Sequence, residues 1–298
     1  MPDTGWLWAL FTVIAASAQT VRNATQRELT AKLGTVGATH VRFLFGFPFA
    51  LLFLCAVMIA LGQQPPRPAP IHWLWVIAGA LTQIAATALM LAAMNDRSFV
   101  VVYAYIKTEP VQVALFGLVV LGDAVTPLMA VAILVATTGV VIMALKPGTS
   151  SDLQATLLGL AAGAMFALSA VGFRGAILSL GLPSYVMAAT FTVTVGLLLQ
   201  LALLSLYLWL RSPDVLAAIV RSWRPSLFAG FMGALASQFW FLAFALATAA
   251  SVRTLALVEV LFAQAISRFV FKQRTTPREA LGIALIIVGV VLLLWASG

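Results

Sequence analysis

A lysine, a glutamate and a proline fall within six residues, YIKTEP at 105–110, inside a stretch that is largely apolar from Ser98 past Val120. A second acid, Glu259, stands in the middle of another apolar stretch. If both stretches cross a membrane, both carboxylates lie near midplane. An ionisable group there is costly unless it is paired, hydrated or protonated, and it usually faces the protein interior or a wet cavity. Such an acid can hold a ligand's ammonium, carry a proton, or neutralise a buried base. Lys107, Arg253, Arg22 and Arg174 are bases available for that last task. An acid that is merely hydrated locally is the remaining reading.

The neighbours narrow the chemistry. Residues three and four apart share a helix face, so Tyr105, Glu109 and Gln112 form one polar stripe, with Phe116 further along. Pro110 has no N–H, frees the carbonyl of Ile106 and permits a bend. Lys107 turns about 200° away from Glu109. Gln83 and Gln238 suit hydrogen bonds between helices or contacts to a polar solute. Trp240 is the one tryptophan placed mid-helix, as packing or as a wall for a substrate. The candidate substrate-binding set is therefore Glu109, Glu259, Tyr105, Gln112, Gln83, Gln238 and Trp240. Arg22 and Arg174, near helix ends, suit snorkelling, and His40 and His72 are expected at the interface.

Other chemistries lack their parts. The sequence holds no Gly-rich phosphate loop, no H-E-x-x-H and no nucleophile with a base. An enzyme and an ATP-driven pump are not expected, and no cofactor is. Two lone histidines make no metal site. Cys55 is the single cysteine, so no intramolecular disulfide forms.

Composition supplies the setting. Hydrophobic residues make up 62% of the 298 and charged ones 9%, where a soluble domain carries about 25% charged. Mean hydropathy is +1.07. This is the composition of a membrane protein. The net charge of +8 sits in short loops, too short for a nucleic-acid-reading surface, so it reports topology instead. "MPDTGWLWALF" lacks a basic start, and no cleavable leader is expected.

About 20 apolar residues span a bilayer. Ten such spans are read: 5–26, 35–61, 72–94, 98–120, 127–146, 154–178, 184–210, 225–247, 251–271 and 277–296. The segment 211–225 suits a short interfacial helix anchored by Trp223. Odd-numbered loops hold or adjoin most of the Lys and Arg, which predicts that they face the cytoplasm and that both termini face outward.

A shift of 150 residues sets 109–145 on 259–295 without a gap. Glu109 meets Glu259, Thr126-Pro127 meets Thr276-Pro277, and Gly139-Val140-Val141 meets Gly289-Val290-Val291. Thr then Pro is a helix start, the threonine capping free N–H groups and the proline occupying the first turn. Glu279 completes a capping box with Thr276. "SAQTVRN" (17–23) and "GALTQ" (79–83) match "SAVGFRG" (169–175) and "GALASQ" (233–238) more loosely. The expected division is 1–148 and 149–298. With five helices in each half, the second enters from the opposite side and is inverted.

Two five-helix halves, with "LGDAVTPLMAVAILVATTGVVIM" (121–143) and "FKQRTTPREALGIALIIVGVVLL" (271–293) at their ends, resemble the drug/metabolite transporter superfamily and its EamA-like ten-helix exporters. The family often has "LGE" before the last helix of each half; Asp123 keeps an acid there, and Gln273 does not. The resemblance implies an all-α membrane protein whose inverted five-helix repeats surround a central cavity. It implies a site among helices 1, 3, 4, 6, 8 and 9 and alternating access. It further implies export of small metabolites, amino acids above all, as by exporters of the YddG type, across a bacterial-type inner membrane. Glu109 or Glu259 would take a substrate ammonium, Tyr105 or Trp240 its side chain, and a buried glutamate could couple transport to protons. A uniporter or a channel-like facilitator stays open beside an exporter.

Overall fold

The structure, a computed structural model, describes residues 5–96, 105–144, 153–269 and 276–297. Every regular element among them is helical: α1 Leu7–Leu44, α2 Phe47–Leu61, α3 Pro70–Asp96, α4 Glu109–Leu121, α5 Pro127–Ala144, α6 Leu153–Ser179, α7 Tyr185–Arg211, α8 Pro213–Arg221, α9 Trp223–Leu246, α10 Ala249–Leu255, α11 Val258–Phe269 and α12 Pro277–Ser297. In a hydrocarbon solvent a helix satisfies its own backbone polar groups, which is why such apolar segments take no other form. Six segments are long and apolar enough to cross a membrane: Val36–Leu61, Pro70–Met90, Thr156–Ser179, Tyr185–Arg211, Trp223–Leu246 and Pro277–Ala296. Leu7–Arg22, Glu109–Leu121 and Pro127–Met143 are shorter apolar helices.

The spans differ from expectation in four places, one of them in the second span, which a turn at Phe45–Gly46 interrupts between α1 and α2. Residues 27–33 of the expected first loop, 27–34, are helical, because "RELTAKL" is polar yet rich in good helix formers. Helix α1 runs on to a kink at Gly34, whose φ of +67° suits a residue without a β-carbon. The fourth and ninth spans, expected to be continuous, are broken at Lys107–Thr108 and at Ala256–Leu257. Residues 98–104 and 270–271 of those spans lie outside the described residues.

The helix starts follow their sequences. Thr126 Oγ1 accepts from the Met129 N–H at 3.2 Å. Thr276 accepts from the Glu279 N–H at 3.3 Å, and its own N–H donates to Glu279 Oε2 at 2.7 Å, so the predicted capping box forms.

The chain forms two compact units. The first draws on Met1–Val13, Thr82–Val171 and Ala247–Gly298, the second on Ile14–Leu81 and Gly172–Leu246. The halves 1–148 and 149–298 are a division by sequence repeat, whereas these units are a division by contact, and each takes residues from both halves.

In the first unit α5 lies along α12. A β-carbon at Gly139 would sit 2.7 Å from the Gly282 carbonyl and 3.0 Å from Ile286. At Gly289 it would sit 2.8 Å from the Ala132 carbonyl and 2.6 Å from the Ala136 nitrogen. Subtracting 150 turns Gly289, Gly282 and Ile286 into positions 139, 132 and 136. The seam is thus reciprocal: each glycine meets the other helix at the repeat-equivalent pair of positions, as in a two-fold interface. Small residues at such crossings let backbones approach closely. Ala136, Val140, Leu257 and Ile286 fill the core beside it.

In the second unit α7 packs on α2 and α9. A short helix does form in the segment 211–225, α8, its Ile219 buried against Leu29, Leu33, Val41, Leu208 and Ala229. Trp223 is half exposed at the start of α9 and carries the Arg224 guanidinium 5.4 Å above its ring.

Candidate functional site

Both breaks lie in the first unit, and both are made by tightening the backbone. At the first, the Thr108 N–H donates to Tyr105 O at 3.2 Å and the Val111 N–H to Thr108 O at 3.2 Å. At the second, Leu257 donates to Thr254 O at 3.1 Å, Glu259 to Ala256 O at 3.1 Å and Val260 to Leu257 O at 3.0 Å. Three-residue spacing is the 3₁₀ pattern, which inside a longer helix often marks a hinge. Glu109 stands in the first turn of α4 and Glu259 in the first turn of α11. Neither is mid-helix as the continuous spans had implied. A carboxylate in a first turn complements the helix dipole.

Each acid finds a base on the other broken span. Lys107 Nζ pairs with Glu259 Oε1, and Arg253 Nε lies 3.2 Å from Glu109 Oε1. All four side chains are largely buried. Removing a base's partner in such a setting leaves a buried charge uncompensated, costing about 3–5 kcal/mol. The two pairs differ in alignment, since Glu109 Oε1 accepts no hydrogen bond from the described residues despite its proximity to Arg253.

Tyr105 and Gln112 flank the first break. A β-carbon at Gly159 would lie 2.8 Å from that of Tyr105, so glycine lets α6 pass there. Gln112 donates weakly to Leu160 O at 3.5 Å and to Thr108 Oγ1 at 3.4 Å. Its Oε1 is buried with no donor among the described residues. Four of the seven predicted residues, Tyr105, Glu109, Gln112 and Glu259, therefore belong to the two broken spans. Gln83 lies on α3 in the same unit.

Gln238 and Trp240 belong to the second unit. Gln238 donates to Thr190 Oγ1 at 2.7 Å, and Trp240 Nε1 donates to Gln19 Oε1 at 3.2 Å. Trp240 also stacks on Phe244, with ring centroids 6.4 Å apart. His40 and His72 are buried. His40 Nε2 is 3.0 Å from Ser205 Oγ, and His72 Nδ1 is 2.9 Å from Ala176 O. Arg174 donates to Phe244 O at 2.5 Å. That carbonyl is in the last turn of α9, where carbonyls lack an intrahelical donor, so Arg174 caps the helix.

Sequence reasoning named Lys107 and Arg253 as available bases but left their partners open. Pairing across 152 and 144 residues has no local signal. The one hint was that both bases share apolar spans with the acids.

Residues 4–145, just under half of the chain, match the model of the EamA-like transporter family. The apolar helices are those of a multi-pass membrane protein, and the matched family is one of membrane transporters of small solutes. No curated protein matches it in sequence. A solved protein crystal structure is similar over 98% of this chain and 96% of its own, at 14% identity and a TM-score of 0.72. At that identity the likeness is one of fold.

Proposed function

We propose that the protein is a secondary transporter that exports amino acids, hydrophobic and aromatic ones among them. Its two inverted five-helix halves would give alternating access. The reading rests above all on one observation, the two crossed ion pairs at paired helix breaks. Buried charges in membrane spans concentrate at substrate and ion paths, and a tightened turn beside each offers a hinge. The reciprocal α5–α12 seam supports the inverted repeat. The lysines and arginines of the odd-numbered loops support termini on the outer face of a bacterial-type inner membrane.

The experiment is a panel of amino acids offered to purified protein in liposomes, with and without a pH gradient. Saturable, stereoselective movement is expected, and acceleration by the gradient would add proton coupling. Glu109→Gln and Glu259→Gln should lower transport at least about tenfold, the scale of one charge-assisted hydrogen bond, while the proteins stay monodisperse. Native rates in both variants would remove the acids from the mechanism.

The closed Lys107–Glu259 contact favours a second reading for that pair, a static strut joining the spans. A strut predicts lost folding and unchanged transport per folded molecule.

A further inference from the structure

Glu109 and Gln112 stand three residues apart at the start of α4 and so share a face. Each ends in a buried oxygen, Glu109 Oε1 and Gln112 Oε1, that has no hydrogen-bond donor among the described residues. Two donorless buried acceptors on one face are an unfilled demand, since leaving such groups unsatisfied is destabilising. Arg253 answers only the charge: its Nε is 3.2 Å from Glu109 Oε1 without the alignment of a hydrogen bond. An ammonium carries three donors and no acceptor, which matches what the two oxygens lack.

We propose that Glu109 and Gln112 form an ammonium subsite, that an entering ligand displaces Arg253 from Glu109, and that the Arg253 guanidinium then takes the ligand's carboxylate. This rests on the transporter reading and assigns its polar contacts. The charges make the exchange specific. Glu109, Arg253, Lys107 and Glu259 sum to zero. A bare amine would leave this group of four with a net positive charge. A bare carboxylate would meet Glu109. A ligand with both signs leaves the sum at zero. The guanidinium fork suits a carboxylate bidentately.

The test is binding, read as thermal stabilisation of the purified full chain in detergent by three probes: L-phenylalanine, phenethylamine and 3-phenylpropionate. Phenylalanine should bind at least about tenfold more tightly than either half-charged probe, the loss of one charge-assisted contact. Gln112→Leu should keep the unliganded Tm near the native value and weaken both phenylalanine and phenethylamine. Arg253→Lys, which keeps the charge but loses the fork, should weaken phenylalanine and spare phenethylamine. The proposal is overturned if a half-charged probe matches phenylalanine, if no probe binds, or if the folded variants bind phenylalanine as the native chain does. Any of these results with amino-acid transport intact would remove the subsite and leave the transporter. Absence of amino-acid transport would remove both.

Discussion

The break at Lys107–Thr108 is followed at once by Glu109 and Pro110, whereas the break at Ala256–Leu257 lies in TLALVEV, which holds neither proline nor glycine. Both are nevertheless tightened by the same three-residue backbone bonds. The proline is therefore not what makes the turn. The shared features are an acid in the first turn beyond the break and a base reaching across from the other span. The alignment of the pairs is not shared: Lys107 and Glu259 are closed on each other, and Glu109 Oε1 accepts no hydrogen bond from the described residues. The α5–α12 seam, by contrast, is alike on its two sides.

The largest expected effect tests the inequality of the pairs. Glu259→Ala removes the carboxylate closed on the buried Lys107 ammonium and should cost about 3–5 kcal/mol, read from thermal unfolding of the purified protein. Glu109→Ala should cost visibly less, and equal losses would erase the distinction. Next comes the equality of the seam. Gly139→Val and Gly289→Val each drive a β-carbon onto backbone atoms, an overpacking of about 1–3 kcal/mol. The two losses should agree, and a clear disparity would break the reciprocity. A smaller effect concerns the Thr-Pro starts. Met129 stands where the second copy has Glu279, so Glu279→Met makes the copies alike and should cost about 1 kcal/mol, the worth of a cap. The smallest is Pro110→Ala. With the proline in the first turn of α4, the change should stay under about 1 kcal/mol. A larger loss of stability would restore the proline as the cause of the first break.

Much of this was legible in the sequence, and the parts that were not share a reason. Thr276 and Glu279, three residues apart, announce their own bonds, because a capping box is local. The boundaries at Leu61 and Pro70 follow from GQQPPRPAP, whose prolines cannot continue a helix. A short helix in 211–225 was also readable, ahead of Trp223. The break before Glu259 had no such sign: Ala256 and Leu257 are good helix formers, and only packing against distant segments bends them. Lys107 and Glu259 meet across the two spans, as do Glu109 and Arg253, and no window of sequence holds both members of a pair. The burial of His40 was hidden likewise, since its partner Ser205 is 165 residues away. The extension of α1 was lost because hydropathy marks lipid, not helicity.

The seam between α5 and α12 carries one last implication. A surface on which Gly139 and Gly289 occupy interchangeable seats is complementary to itself. A half-length ancestor bearing it could have joined an upside-down sister molecule before any duplication fused the two genes. Fusion would then have secured an existing partnership, and left each copy free to change the charges it inherited.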